Sequence, residues 1–421
     1  MAAEMHTLDN GVTVLIDPIK DTETVAVGYG VRVGARFETK RENGITHFLE
    51  HMAFKEETPE ASFKTAQLME AKGGFMNAFT SKDMTFYYAM GLAENFNTFN
   101  DIMGAIALDS VIPDSELEIE RGVIIGEVGQ SLDDPKDILH DTLFATAYPN
   151  QPLGRSILGP KKNIERFKRD DFMKFIDKHY HTGNTFVTVA GNVDVQAVLK
   201  RIEETTAALK TGKRSAFKAA RFHSGSVHTE KQQDQLHLSM EFNSSALENS
   251  HDSKAEMILS RILGGGFSSR LFQEVREKRG LGYSVSASSY AFKGGGLTGV
   301  DAIVNPEKAT ELLEAVTDEI KKIADGGVSD EELSASKAKI KTQFAFGAEG
   351  TQNRMAAIRQ SFDSYGELRE TAKNLAEYDA ITKEDVKDAA ERVFSGLPVL
   401  ATVGPGSKLP EYDKVVKSLK L

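Results

Sequence analysis

The chain predicts an α+β protein built from two copies of one domain, and three observations carry that expectation. It has 421 residues, long for a single core and comfortable for two. Strand-like apolar stretches alternate with stretches of helical period, the pattern of sheets covered by helices. A helix–strand pair also recurs. Arg169 to Tyr180 followed by Phe186 to Gly191 is similar to Lys383 to Phe394 followed by Val399 to Gly404. Placing Asp171 on Asp385 and Tyr180 on Phe394 gives the same offset twice, 385 − 171 = 214 and 394 − 180 = 214, about half the chain.

Along the chain, Gly11 to Asp17, Thr24 to Val33 and Met84 to Gly91 read as strands, rich in β-branched, aromatic and small apolar residues. Phe63 to Lys72 and Ala93 to Leu108 have helical patterns. Thr185 to Gly191 is a strand feeding a helix that starts near Asp194. Pro306 to Ala324 and Ser329 to Phe346 are long helical stretches of the second half. The basic, small-residue stretch Lys210 to Lys218 is the expected junction, dividing the chain into domains 1–212 and 213–421.

Composition narrows the function. Formal charge is −11, from 51 basic and 62 acidic side chains, which argues against nucleic-acid partners and an anionic membrane surface. Hydrophobic residues make up 40% and charged residues 27%, an ordinary globular balance. There are no cysteines, so disulfides, thiolate zinc sites, iron–sulfur clusters and cysteine nucleophiles are excluded. Any metal must be held by His, Asp or Glu. Residues 1–10 show neither the apolar core of a signal peptide nor an arginine-rich amphipathic stretch. No apolar run approaches the roughly 18 residues that span a bilayer, so a soluble, cytoplasmic protein is expected.

The sharpest local signal is Gly44-Ile-Thr-His47-Phe-Leu-Glu50-His51-Met-Ala-Phe54. His47 and His51 are four apart and Glu50 is three from His47, so on a helix all three side chains leave one face. Two imidazoles so placed can share a metal ion, and the adjacent carboxylate can take a proton from water activated there. With 10 histidines in the chain, composition alone predicts about 0.02 occurrences of such an H-x-x-E-H motif. A catalytic zinc needs a third protein ligand and an open position. The helical stretch from Ser115 to Gln130 offers Glu120 and Glu127, seven apart on nearly the same face, with Val123, Ile124 and Ile125 between them. Periodicity does not choose between the two.

These residues resemble the inverted zinc motif of the pitrilysin-type metallopeptidases, the inverzincins. More closely, the chain resembles bacterial relatives of the mitochondrial processing peptidase β-subunit, over essentially its whole length. The resemblance implies two homologous α/β-sandwich domains, each a mostly antiparallel sheet flanked by helices, together forming half of a clamshell. It implies one Zn2+ per chain, held by His47, His51 and Glu127, which follows His51 by 76 positions. Glu120 would stand behind the ligands and Glu50 would be the general base. Gly73-Gly-Phe-Met-Asn77-Ala78-Phe79-Thr80 resembles the family's cleft-edge strand, to which an extended peptide adds as a further strand. Phe54 occupies a position associated with the pocket after the scissile bond. Arg276 and Tyr283, spaced by seven after the glycine-rich stretch at Gly264, resemble the pair that hydrogen-bonds the substrate carbonyl and developing oxyanion. Asp137 and Asp141 sit where processing peptidases carry acidic residues that favour arginine near the cut.

The offset of 214 maps His47 to Arg261 and His51 to Gly265, so the second copy lacks the ligands. One half is expected to bind metal and the other to serve as a lid. Because one chain carries both the zinc motif and the Arg/Tyr pair, a homodimer is expected, with Arg276 and Tyr283 of one chain completing the site of the other. The competing class is a non-catalytic scaffold or partner subunit, which the complete ligand set and retained Glu50 argue against. Ser334-Ala-Ser-Lys337 fits S-x-x-K but lies in a helical stretch without companion motifs. No P-loop or Rossmann spacing is present. His179, His181, His223 and His228 are expected at the surface.

Overall fold

The computed structural model describes residues 3–406 and 409–419. In the first half of the chain the strands are β1 (Glu4–Thr7), β2 (Thr13–Pro18), β3 (Thr24–Val31), β4 (Phe75–Thr80), β5 (Thr85–Leu92) and β6 (Thr185–Gly191). Its helices are α1 (Ile45–Ala53), α2 (Pro59–Ala71), α3 (Phe96–Leu108), α4 (Asp114–Asp133), α5 (Pro135–Ala147), α6 (Lys161–Ile164), α7 (Arg169–His179) and α8 (Val195–Thr206). The second half adds β7 (Gly225–Thr229), β8 (Leu236–Asn243), β9 (Gly282–Phe292), β10 (Gly295–Val304) and β11 (Val399–Val403). Its helices are α9 (Ser250–Gly264), α10 (Ala309–Gly326), α11 (Asp330–Gly347), α12 (Thr351–Tyr365), α13 (Thr371–Asp379), α14 (Lys383–Phe394) and α15 (Tyr412–Ser418).

The duplication is visible in the sheets. The first has the order β1-β2-β6-β3-β5-β4 and the second β7-β11-β8-β10-β9. Beyond the extra edge strand β1, the two orders match strand for strand. Each has one parallel pair, β2 with β6 and β7 with β11, and is antiparallel elsewhere. The pairs α7–β6 and α14–β11 occupy equivalent places. Their strands are followed or closed by Gly191 and Gly404, both at positive φ, 145° and 132°, where a side chain is strained. Those glycines differ by 404 − 191 = 213, one less than the helices.

Both sheets are covered on both faces, the α/β sandwich that an α+β chain forms to bury two apolar sides. On the first sheet Val27, Tyr29 and Val187 meet Phe99 and Met103 of α3 and Ile202 of α8. Its other face, with Leu15, Phe86 and Phe186, meets Met355, Ile358 and Phe362 of α12. On the second sheet Leu238, Met240 and Val300 pack with α9, α10 and α14. Its other face, with Val399, Ala401 and Val403, receives Leu139, Leu143 and Ala147 of α5.

The two compact units therefore interleave along the sequence instead of meeting at one boundary. The first comprises Met1–Gly129, Arg155–Phe217 and Ala345–Glu370; the second comprises Gln130–Gly154, Lys218–Phe344 and Thr371–Leu421. Helix α12 is tied to the first sheet by a forked pair, Arg354 Nε and Nη2 donating to Asp17 at 2.7 and 2.5 Å, a geometry that suits guanidinium and carboxylate.

One expectation fails, and two elements have no counterpart in the sequence reading. His179 is buried at 5% exposure, because it packs on Phe175 inside the unit, and burial pushes its pKa down to about 4. The stretch before Lys278 winds as a π-helix over Phe272–Lys278. Strand β1, Glu-Met-His-Thr, is short and polar, and it carries no apolar run by which to find it. Among the described residues no helix is long and apolar enough to cross a membrane.

Candidate metal centre

Helix α1 begins on a glycine, at a position where any side chain would be strained. Gly44 has φ 100°, and a Cβ there would lie 2.7 Å from both Ile164 Cδ1 and Leu158 O. No side chain at that position caps the helix. Glu38, 2% exposed, does so from outside. Its Oε2 accepts from the Gly44 amide at 3.0 Å and Asn43 Nδ2 at 2.9 Å. Its Oε1 accepts from the Thr46 amide at 2.9 Å and the Thr46 hydroxyl at 2.6 Å. The amides of Gly44 and Thr46 are thereby paired, that of Ile45 donates to Glu42 O at 2.8 Å, and the positive end of the helix faces a carboxyl group. Burial pushes the Glu38 carboxyl up, and these four donors oppose that shift.

From this anchored turn, α1 presents His47, Glu50 and His51. Helix α4 faces it with Glu116, Glu120 and Glu127. His47 Nε2 and His51 Nε2 lie 3.7 and 3.6 Å from Glu127 Oε2, and the ligand atoms of the three residues fall within 4.8 Å of one another. Arms of about 2.1 Å around a tetrahedral zinc give ligand–ligand edges of about 3.4 Å, so this donor set fits the ion. The ring of His47 is kept neutral, as a ligand must be: burial, with the charge of His51 adding, pushes it down to about 4. Glu50, beside the ligands, has its carboxyl pushed up mainly by burial, while Thr80 Oγ1 donates to its Oε2 at 2.5 Å and opposes the shift.

The second acid of α4 has a different task. Glu120 Oε2 lies 3.2 Å from His51 Nδ1, which leaves Nε2 for the metal and fixes the ring, the outer support that ligating histidines need. Lys55 Nζ then holds Glu120 Oε1 at 2.6 Å and reaches Glu116 at 3.4 Å. Glu120 is 8% exposed, whereas the Glu127 side chain is 38% exposed. Between them, Ile124 is buried and Val123 faces outward.

Sequence reasoning passed over Lys55, Thr80, Glu116 and Glu38. Lys55 lies just past the end of α1, two residues beyond Ala53, so helical spacing does not place it beside Glu120, and Thr80 and Glu38 carry no sequence signal either. Lys55→Met should weaken zinc about tenfold in competition with a chromophoric chelator, and Lys55→Arg should restore most of it. Unchanged affinity in Lys55→Met would mean that Glu120 orients His51 unaided.

The remaining predicted residues fall as follows. Phe54 ends α1 and is partly buried beside Tyr87, with ring centroids 6.4 Å apart. Asn77, Ala78 and Phe79 lie on β4, the outermost strand of the first sheet. Asn77 is exposed, Ala78 packs on the same cluster as Phe54, and Phe79 packs on Phe86 across the other face. Asp137 and Asp141 lie on α5 of the second unit. Arg276 and Tyr283, also in the second unit, are exposed; Arg276 stacks on Phe272 at 4.9 Å, and Tyr283 is 79% exposed. Arg261 and Gly265, the positions matching the two histidines, lie at the end of α9.

Two imidazoles and a carboxylate on facing helices, with a second carboxyl held beside them, form a group that could hold a metal ion, the arrangement expected of an inverzincin. Comparison with known proteins agrees. Residues 13–161 match the insulinase family (peptidase family M16), and residues 166–340 match the peptidase M16 inactive domain. An "uncharacterized zinc protease" of Rickettsia felis is 32% identical over 398 residues, 94% of this chain and 96% of the relative. One of Bacillus subtilis is 30% identical over 96% of this chain and 99% of the relative. The chain belongs to the pitrilysin-type M16 family of zinc proteases. A protease from Helicobacter pylori shares the fold, with a TM-score of 0.88 at 22% identity over 96% of this chain and 99% of that one. So does a peptidase M16 inactive domain from Pseudomonas fluorescens, with a TM-score of 0.89 at 18% identity over 97% of this chain and 99% of that one.

Proposed function

We propose that the protein is a zinc-dependent endopeptidase or oligopeptidase that hydrolyses extended peptides, with one Zn2+ per chain held by His47, His51 and Glu127. The observation that carries the reading is the convergence of both Nε2 atoms on Glu127 Oε2 with Glu50 tied to the edge strand through Thr80. The ion, when bound, supplies Lewis-acid activation of water and of the scissile carbonyl. Glu50 takes the proton of the attacking water at its carboxylate and passes it to the departing amine nitrogen. Among the described residues, strand β4 has a neighbour on one side only, so its outer edge can pair with a peptide in extended form. Its selectivity then comes from side-chain pockets, Phe54 among them.

Arg276 and Tyr283 are assigned to the substrate carbonyl and the oxyanion, as a guanidinium and a phenol suit that task. Both are exposed, which supports a homodimer in which one chain's pair completes its partner's site within a closed chamber. Asp137 and Asp141 favour basic residues near the cut, and a cytoplasmic location belongs to the same reading.

The test is cleavage of a quenched peptide library by the purified protein, before and after metal stripping, with sedimentation of the active form. Cleavage lost on stripping and restored by zinc supports the assignment, and the library reports any preference for arginine. A zinc-loaded protein that cuts nothing would sink it, and full activity in a sedimenting monomer would sink the dimer.

A further inference from the structure

In the second unit, the sheet face beneath α5 carries acidic groups that the fold does not require. Glu241 of β8 pairs with Gly299 of β10, which pairs with Ser288 of β9; beside them Ser239 pairs with Asp301 and Asp301 with Ser286. The duplication supplies an internal comparison. Val399 opposite Glu241 corresponds to Phe186 opposite Gly30, 399 − 186 = 213. By register, Glu241, Gly299, Ser239 and Asp301 stand where the first unit has Gly30, Phe86, Gly28 and Tyr88. There the rings fill the space above the glycines: a Cβ on Gly28 would lie 2.2 Å from Phe86 Cζ, and one on Gly30 2.2 Å from Phe186 Cζ. That face carries no carboxyl group at these positions; its rings are stacked instead by the guanidinium groups of Arg32 and Arg359. In the second unit the sizes are inverted, and the Glu241 carboxyl lies over Gly299, where a Cβ would come within 2.7 Å of its Cδ.

The inversion leaves polar atoms without a counterpart. Glu241 is 2% exposed, and its Oε2 finds no hydrogen-bond partner among the described residues, nor does Ser288 Oγ. A buried acceptor left unpaired costs about 1–3 kcal/mol, so an apolar pair, as in the first unit, would be the more stable choice. Burial, with the charge of Asp301 adding, pushes the Glu241 carboxyl well above its usual range. Burial also raises Asp301, opposed by Ser239 and by His140 of α5. Both shifts mark a place short of positive charge. Helix α5 covers β7, β8 and β11, while Ser284, Ser286 and Tyr290 of the edge strand β9 stay exposed on this face. Glu241 is thus enclosed on the face that α5 covers, while Asp301, only half-buried, stands on β10 between it and the exposed residues of β9.

We propose that Glu241 and Asp301 form a subsite for a guanidinium group, taking the arginine side chain of a bound peptide. A planar cation with five N–H donors can span two carboxyl groups on neighbouring strands and also reach the Ser288 hydroxyl. The inference rests on the peptide-binding reading above and extends it to residues that neither the motif nor the acidic pair of α5 assigned.

The experiment measures binding of agmatine, a small guanidinium probe, to the zinc-loaded protein by calorimetry. It then compares an arginine peptide with its citrulline twin on the Glu50→Gln protein. Agmatine should bind saturably, and Glu241→Gln and Asp301→Asn should each weaken it about tenfold or more, as loss of one partner of a buried charged contact does. The arginine peptide should exceed its uncharged twin by a similar factor, lost in the same variants. Each variant keeps the side chain's shape; thermal midpoint and zinc content check its fold, and if one misfolds the other carries the test. Absent agmatine binding, or binding equal in wild type and variants, overturns the subsite whatever the peptide library shows. Loss only on substituting Asp137 and Asp141 overturns it as well. A protein that binds agmatine through Glu241 but cuts no peptide would retain the subsite and refute the peptidase reading instead.

Discussion

Glu50→Gln should cut peptide hydrolysis by about 10²–10⁴-fold while leaving the metal in place. The carboxamide fills the same volume and can still accept from Thr80 Oγ1, now 2.5 Å from Glu50 Oε2. It cannot take a proton from water. General-base catalysis contributes about 10²–10⁴-fold, so kcat should fall by that factor with little change in KM. His47, His51 and Glu127 are untouched, and zinc content measured by atomic emission should equal that of wild type. Activity within a few-fold of wild type would remove Glu50 from the proton transfer. Loss of zinc together with activity would instead make it part of the metal-holding set.

Glu38→Ala should be the most damaging substitution away from the metal. The carboxyl is buried and accepts from Gly44, Asn43 and both donors of Thr46. Its removal leaves four donors at the start of α1 without their partner, at about 1–3 kcal/mol each when fully desolvated. Water entering the space offsets part of that, so a net loss of about 3–5 kcal/mol is expected, the range for breaking a buried charged network. The reading should be local: amides of α1 should exchange about 10²-fold faster with deuterated solvent, and zinc affinity should fall because His47 sits one turn from the cap. Wild-type exchange in α1 would show that Gly44 and the surrounding packing hold the turn without Glu38.

The metal helix was legible because chemistry and periodicity coincide there: a spacing of four on one face serves both an α-helix and a shared ion. The α4 acids were legible only as a pair. Nothing in a seven-residue interval distinguishes Glu127, which meets the imidazoles, from Glu120, which meets the far side of one of them and Lys55. The family likeness implied Glu127 as the ligand, and the structure brings Glu127, not Glu120, within reach of both Nε2 atoms. Glu38 stayed hidden because its role depends on a tight turn that brings it back onto a helix end, a contact no period encodes. The duplicated domain was readable from α7–β6 and α14–β11, where helix and strand repeat in series. The partnering of α5 and α12 was not. An amphipathic pattern states that one face is buried, and it is silent about which sheet buries it.

That last feature bears on how the chain comes off the ribosome. The first unit draws its final covering helix from Ala345–Glu370, so Leu15, Ala26, Phe86, Phe186 and Ala190 have no lasting shelter until most of the polypeptide has been translated. Contacts spanning that much sequence form late and slowly. Meanwhile a half-made product exposes the greasy side of a sheet, the kind of surface that chaperones retain and that nascent chains aggregate through. Truncated transcripts ending near residue 217 should yield inclusion bodies rather than a miniature metal-binding protein. Gene fission between the halves would succeed only if the two pieces are produced together.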